Sequence, residues 1–374
     1  MAYSFLHTAD WQIGKRFGSF PDDKPAVLRD ERLRAVDRLA AAAAARGCAA
    51  VLVAGDVFDS ETIPSALCAR LLSLLGAYTH LTWHLLPGNH DPARPGGIWS
   101  TLSSGGLPAN VQVHLQPQPV ALAPDVMLLP APLTSKRTNS DPTAWMDEAA
   151  TPSGTMRIGL AHGSVQGFGS DGDASVNIDA ARPKRSGLAY LALGDWHGTM
   201  RIGERVWYSG TPEPDGFRDN DPGNALVVRL DGNAVPNVER IPTGHYTWVR
   251  RECAADSAAA LGGIEDEVSR LGGAASRCLM SLVLKGALPL AEFARIEERL
   301  EALAPRLFHL APDLRELSSF TDVGGLQALH SPALSEIAAR LKQAGSEGTV
   351  APAVAERALR RLFTLARQAE ARAS

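Results

Sequence analysis

The chain has 374 residues, of which 45% are apolar and 21% charged, enough for a large soluble core and more than one domain. A net charge of −4 argues against a protein that coats nucleic acid electrostatically, though not against one with a local basic patch and its own metal ions. No apolar run reaches spanning length and the N-terminus lacks a signal-peptide core, which points to the cytoplasm, while the isolated Cys48, Cys68, Cys253 and Cys278 read as buried thiols, not as a structural zinc site.

Residues 3–8 form an apolar strand that runs into Thr8, Ala9, Asp10, Trp11 and Gln12, followed by the basic turn Gly14-Lys15-Arg16. A helix is predicted over residues 30–46, because Leu33, Val36, Leu39 and Ala43 fall on one face and Gly47 sits just past the end. Val51, Leu52 and Val53 are too few for a helix. Bounded by Gly55, they read as a buried strand that ends in Asp56, with Asp59 three residues on. Pro64 opens a second helix with Leu67, Leu71, Leu72 and Leu75 inward. The strand 81–86 then leads into Pro87-Gly88-Asn89-His90-Asp91.

Residues 110–129 read as short strands broken by prolines, and 134–155 as a polar surface loop with a short helix around Trp145. The strand 157–161 meets His162-Gly163. Asp171 and Asp173, in the loop 167–173, do not complete an EF-hand, so a solvated turn is expected there. Residues 188–193 lead into Gly194-Asp195-Trp196-His197. Hairpin-like strands follow at 205–208 and 224–230, separated by Ser209-Gly210-Thr211-Pro212. After Pro242 a small β/α unit is predicted: strands at 246–252 and 278–284, helices at 257–271 and 290–303. From about residue 321 the chain reads as helical, at 335–342 and 351–367. The last helix has an apolar stripe of Val354, Ala358, Leu362 and Ala366, widened by Leu359 and Phe363. Packing on the chain's own core and a partner surface are equal readings of that stripe.

Five strands thus run into residues able to hold a metal: Asp10, Asp56, Asn89, His162, and Asp195 with His197. A single aspartate after a strand is common, and a single buried histidine is usually structural. The ordered set is the signal, because α/β sheets gather their sites at the carboxyl ends of strands. Asp56 has two oxygens and can bridge two ions held from either side. No GxxxxGK[ST] loop occurs, so ATP hydrolysis by this chain is not expected.

Taken in order, Asp10-Trp11-Gln12, Gly55-Asp56-Val57-Phe58-Asp59, Gly88-Asn89-His90-Asp91, His162-Gly163 and Gly194-Asp195-Trp196-His197 resemble the calcineurin-like metallophosphoesterases, whose pattern is DxH, GDxxD, GNH[DE], GH and GHxH. Within that superfamily the chain looks like the SbcD-type DNA repair exonucleases. Phe5-Leu6-His7-Thr8-Ala9-Asp10-Trp11, Pro87-Gly88-Asn89-His90-Asp91 and Tyr208-Ser209-Gly210-Thr211-Pro212 carry the closer likeness. It covers residues 3–245, and the remainder only in layout. The resemblance implies an α/β fold: a two-sheet metallophosphoesterase sandwich flanked by helices over 1–244, a smaller α/β capping domain over 245–320 that guides DNA, and a helical partner-docking segment over 321–374. It implies two divalent ions, one held by Asp10, Gln12, Asp56 and His197, the other by Asp56, Asn89, His162 and Asp195. It also implies that His90 donates to the phosphate or the leaving oxygen, that Asp59 orients His90, and that an SbcC-type coiled-coil ATPase is the partner. A homodimer stays open.

Two positions depart from the family pattern. Gln12 stands where the family has histidine, and Asp195 where the first histidine of GHxH belongs. An amide oxygen binds metal weakly, whereas a carboxylate is a competent hard ligand. Because Asp10, Asp56, Asn89, His90, His162 and His197 are all kept, a retuned site is favoured over a decayed one. Only His162 and His197 remain as nitrogen ligands, so manganese is expected in preference to zinc, with the ion on the Asp10–Gln12 side bound more weakly. The expected function is a metal-dependent DNA nuclease of exonuclease type. One alternative is a phosphodiesterase acting on a small nucleotide or phosphoester, against which the capping unit argues. The other is a catalytically reduced subunit that regulates an ATPase. Lys15, Arg16, Arg94, Lys184 and Arg185 are the basic residues expected beside the site, each alone an ordinary solvated charge.

Overall fold

The computed structural model describes residues 2–165, 176–232, 234–320 and 331–373. The Asp171–Asp173 loop lies outside these residues, as does the start of the helical tail. The chain forms two compact units: Met1–Asp215 with Asn220–His245, and Gly216–Asp219 with Tyr246–Ser374.

In the first unit the chain builds one sheet, then a second, then returns. Strands β1 (Ala2–Thr8), β2 (Ala50–Val53), β3 (Thr82–Leu85) and β4 (Val111–Val113) are parallel neighbours, and helices α1 (Lys24–Ala45) and α2 (Ser65–Ala77) make the first crossovers. After α3 (Ile98–Ser104) and β4 the chain enters the second sheet with β5 (Val120–Ala123), β6 (Val126–Ala131) and β7 (Met156–His162). The short pair β8 (Ser164–Val165) and β9 (Asn177–Ile178) and the helix α4 (Arg182–Ser186) precede β10 (Leu188–Gly194), β11 (Met200–Gly203) and β12 (Val206–Tyr208). Strands β13 (Asn224–Asp231) and β14 (Asn237–Pro242) close the first sheet, β13 running antiparallel to β1. The two six-stranded sheets are ordered β14-β13-β1-β2-β3-β4 and β11-β12-β10-β7-β6-β5.

Alternation along the strands sets the layers. Leu6, Val51, Val53, Trp83 and Leu85 point to one side and share a core with Leu33, Val36 and Leu39 of α1 and Leu71 of α2. Phe5, Ala50, Leu52 and Val228 point to the other and meet Leu128, Ile158, Leu160, Tyr190 and Ala192 of the second sheet. The far side of that second sheet, with Leu129, Leu191 and Leu193, is covered by Met146, Val165 and Ile178. A strand buried on both faces needs apolar side chains in both directions, which is why the central strands read as unbroken apolar runs. Each leucine or valine buried there contributes about 1.5–3 kcal/mol relative to exposure.

Two elements differ from the sequence expectation. Helix α1 starts at Lys24, not at residue 30; Pro25 occupies its first turn, where no N–H is needed, and Leu28 is buried. Strands β12 and β13 are not hairpin partners. The first pairs with β10 and β11 in the second sheet, the second with β1 and β14 in the first. The segment between them therefore passes from one sheet to the other, carrying Thr211, Glu213 and Asp215.

The second unit holds a three-stranded parallel sheet of β15 (Thr247–Ala254), β16 (Cys278–Pro289) and β17 (His309–Phe320), with α5 (Gly262–Leu271) and α6 (Leu290–Leu303) as crossovers. Strand β17 is not legible in the sequence pattern, because Pro312, Asp313, Arg315 and Glu316 interrupt its apolar positions. Helices α7 (Pro332–Ser346) and α8 (Pro352–Ala373) follow. Leu359 and Phe363 of α8 are buried with Leu290 of α6 and Ala338 of α7, and Leu362 and Ala366 lie against them, whereas Val354 is exposed. Most of the apolar stripe is thus spent inside the second unit. Among the described residues, no helix is long and apolar enough to cross a membrane.

Candidate metal centre

Strands β1, β2 and β3 run parallel in one sheet, as do β7 and β10 in the other. The loops leaving their carboxyl ends meet closely. Asp10 N–H donates to the Gly55 carbonyl (3.1 Å), Gln12 N–H to the Asp56 carbonyl (3.0 Å) and Gly163 N–H to the Gly194 carbonyl (3.1 Å). A Cβ at Gly55 would strike the His162 ring, and one at Gly88 would strike the Asp56 carboxylate and main chain. Those glycines are what let the loops approach. Of the seven described non-glycine residues with positive φ, four lie here: Asp10, Gln12, Asp56 and Asp195. Strain of that kind costs about 1–3 kcal/mol per residue and persists only where the surroundings over-determine it.

The side chains converge on one point. Single ligand atoms of Asp10, Asp56 and His162 all lie within 4.8 Å of one another. His162 Nδ1 donates to the Ala54 carbonyl (2.8 Å), which turns Nε2 toward Asn89 Oδ1 (3.1 Å), Asp56 Oδ1 (3.5 Å) and Asp195 Oδ1 (3.8 Å). Gln12 Nε2 donates to Asp56 Oδ2 (2.9 Å), and His197 Nε2 lies 4.0 Å from Asp10 Oδ1. Asp195 is fixed twice: its N–H donates to both oxygens of Asp10 (3.2 Å each), and its carboxylate accepts from Ser164 Oγ (2.7 Å). All seven residues expected to hold metal thus border one cluster.

His90 stands at the rim, half exposed. Its main-chain N–H donates to Asp56 Oδ1 (2.9 Å), and Nε2 lies 3.9 Å from Asp56 Oδ2. Nδ1 donates to the main-chain carbonyl of Asp59 (2.9 Å). The side chain of Asp59 is therefore not what holds the ring. Three of the five basic residues expected near the site are ion-paired: Arg94 with Glu61, Arg185 with Asp179 and Lys15 with Asp215.

Three residues support the cluster from outside the expected ligand set, and of these only Asp91 belongs to a motif, as the acid that follows His90. Asp215 Oδ1 accepts from His197 Nδ1 (3.0 Å), while Oδ2 accepts from Lys15 Nζ (2.7 Å). Asp91 spans two loops, accepting from Gly88 N–H (2.7 Å) and Phe58 N–H (3.0 Å). Arg32 of α1 is buried and donates to the carbonyls of Trp11 (2.6 Å), Asp10 (3.0 Å) and Glu213 (3.0 Å) and to Thr211 Oγ1 (3.0 Å). Arg32 leaves a fainter trace in the sequence: it falls four residues after Leu28 on the apolar face of α1.

The electrostatics call for positive charge. Burial pushes the Asp10 carboxyl up to about 6, against the pull of His197 and His162. Burial also works against a charge on His162, yet Asp56, Asp10 and Asp195 outweigh it and raise that imidazole to about 9. Asp215 is held well below the usual carboxylate range: burial opposes this, but His197, Arg32 and Lys15 prevail. Within the cluster Gln12 Oε1 is buried with no hydrogen-bond partner among the described residues. Buried carboxylates, an imidazole Nε2 aimed among them and an orphaned amide oxygen fit divalent cations.

Two stacked sheets whose strand ends present such a cluster define a metallophosphoesterase. The family model for calcineurin-like phosphoesterases matches residues 3–198, and the chain belongs to that family. Over 261 residues it is 29% identical to the DNA double-strand break repair protein Mre11 of Aeropyrum pernix, a match covering 63% of this chain and 60% of that protein. The chain thus spans about three fifths of that relative's length. Among solved structures, it is 14% identical to TT1561 of Thermus thermophilus, with a TM-score of 0.41, over 65% of this chain and 100% of that one. It is 12% identical to a dimetal phosphatase from Danio rerio, with a TM-score of 0.36, over 63% of this chain and 98% of that one.

Proposed function

We propose that the chain is a metal-dependent DNA nuclease of exonuclease type that acts with a coiled-coil ATPase of the SbcC kind. The convergence of Asp10, Asp56 and His162, with Asn89, Asp195, His197 and Gln12 around them, carries the hydrolase part of this reading. The likeness to a DNA double-strand break repair protein supports DNA as substrate, and the lack of a GxxxxGK[ST] loop leaves ATP hydrolysis to a partner.

Asp10, Gln12, Asp56 and His197 would hold one divalent ion, and Asp56, Asn89, His162 and Asp195 the other. Such ions, manganese in this reading, supply Lewis acidity and lower the pKa of an attacking water. The rest falls to the protein. Asp56 ties the two ligand sets together. Ala54 fixes the tautomer of His162, and Asp215 that of His197. With Nδ1 of His90 committed to the Asp59 carbonyl, Nε2 is the nitrogen that can hand a proton to the leaving oxygen. The residues after Tyr246 would guide DNA, and the terminal helices would meet the ATPase.

The test uses the purified full chain, stripped by chelation and resupplied with manganese or zinc. Linear duplex DNA, a cyclic nucleotide and bis(p-nitrophenyl) phosphate are offered in parallel. Manganese-dependent shortening of linear DNA is expected, with zinc a poor substitute. Turnover of the small diesters with DNA left intact would overturn the nuclease reading. His90→Ala should lower cleavage by about 100-fold or more while keeping its metal. Asp56→Ala should lose both ions.

A further inference from the structure

Gln12 turns the donor end of its side-chain amide toward the carboxylate that both ligand sets share. Its Nε2 donates to Asp56 Oδ2 at 2.9 Å, and its main-chain N–H donates to the Asp56 carbonyl at 3.0 Å. The same amide leaves Oε1 buried and without a partner among the described residues. The amide orientation is not arbitrary: reversing it would set Oε1 against the Asp56 carboxylate, acceptor on acceptor. The side chain is locked, since Gln12 is 1% exposed and its φ is 49°. Arg32 grips the carbonyls of Asp10 and Trp11 on the same loop.

We infer that Gln12 does two jobs with one amide: Nε2 fixes the orientation of Asp56 Oδ2, and Oε1 is the ligand for a hard, oxygen-preferring divalent cation beside Asp10. The inference rests on the two-ion reading above and deepens it, because it assigns metal preference to one side chain. A neutral oxygen favours manganese or magnesium at that position, where an imidazole would admit zinc. An amide serves here better than a carboxylate. Glutamate could ligate but could not donate to Asp56, so the two carboxylates would repel one another until a cation arrived. Leucine would do neither.

Those differences define the experiment. The full chain and its Gln12→Leu, Gln12→Glu and Gln12→His variants are chelated, then titrated with manganese by calorimetry, with metal content counted after dialysis. Melting is followed with and without manganese, and zinc is competed against manganese for occupancy. Gln12→Leu should bind the ion beside Asp10 at least about 10- to 100-fold more weakly, and the other ion less affected, through the freed carboxylate of the shared Asp56. Gln12→Glu should melt lower than the native chain without metal and gain more than it on adding manganese. Gln12→His should raise the zinc-to-manganese ratio in competition. Native affinity for both ions in Gln12→Leu, or an unchanged metal-free melting point in Gln12→Glu, would overturn the inference. None of these readouts is cleavage, so a chain that binds manganese in this way and leaves DNA intact would refute the nuclease reading alone.

Discussion

His197 has two ring nitrogens, and Asp215 takes one of them. The carboxylate accepts from Nδ1 at 3.0 Å and leaves Nε2 to face Asp10. Lys15 occupies the other oxygen at 2.7 Å, so Asp215 is itself satisfied and is not drawn toward a cation. Removing it frees the ring to take the wrong tautomer and orphans Lys15. Asp215→Ala should therefore weaken the ion beside Asp10 by about 10- to 100-fold, while Asp215→Asn, which can still accept from Nδ1, should lose less. Equilibrium dialysis against manganese checks this; equal losses in the two variants would show that Asp215 acts through its charge, not through the tautomer. At this scale the sequence shows the residues that border the cluster, because each ends a short apolar run. It does not show Asp215, which sits in the proline-rich stretch after β12 and reaches the site only because that stretch crosses between sheets. It points to Asp59 beside His90 but not to the atom that meets the ring, the main-chain carbonyl, a distinction that no side-chain pattern encodes.

At the scale of elements, β3 and the chain just beyond β4 share a buried histidine pair. His84 Nδ1 and His114 Nε2 are 3.0 Å apart, the ring planes are parallel to within 4°, and both residues are buried. One ring must donate and the other accept, so a second proton would set two N–H groups face to face. Burial lowers His84 to about 3, with His114 adding to the effect, and burial lowers His114 to about 4. The sign follows from linkage. Below pH 6.5, the ordinary value for the imidazole, the unfolded chain takes up protons that the folded chain refuses, so stability present above 6.5 is lost as the pH falls toward those values. Each histidine should cost about 2 kcal/mol at pH 5. Urea midpoints at pH 7.5 and pH 5 measure the drop. His114→Asn, which does not titrate, should shrink it by about 2 kcal/mol; an unchanged drop would show that the pair opens to water. Strand order is the part of the fold that local pattern hides. The sequence marks β12 and β13 as strands, but nothing local says that one belongs to each sheet, because pairing is decided by where the intervening segment is held, here by Arg32 on the Glu213 carbonyl and Thr211 Oγ1.

For the whole molecule, the cluster and the terminal helices lie in different units. Every residue around the cluster, from Asp10 to Asp215, belongs to the first unit, while α8 packs on α6 and α7 in the second. A ligand stabilises only the unit whose folded form binds it. Manganese should therefore raise one calorimetric transition and leave the other in place. Phe363 tests the second unit. Its side chain is 2% exposed and sits with Leu290, Ala338 and Leu359, so Phe363→Ala should destabilise that unit by about 3–5 kcal/mol through lost burial and the cavity left behind. The manganese-sensitive transition should not move. This separates two uses of the terminal helix that its sequence leaves equal. If the stripe mainly serves a partner, Phe363→Ala would spare both transitions and reduce only the binding of an ATPase. If it mainly completes the second unit, the manganese-insensitive transition would fall and partner binding would fail as a consequence. The burial of Leu359 and Phe363 favours the second outcome, and leaves Val354, Ile337 and Leu365, which are exposed, as the apolar side chains that a partner could still reach. If the proposed ATPase docks on these side chains, Val354→Ser should weaken its binding without lowering either transition, a result that a co-purification assay and one calorimetric scan would check together.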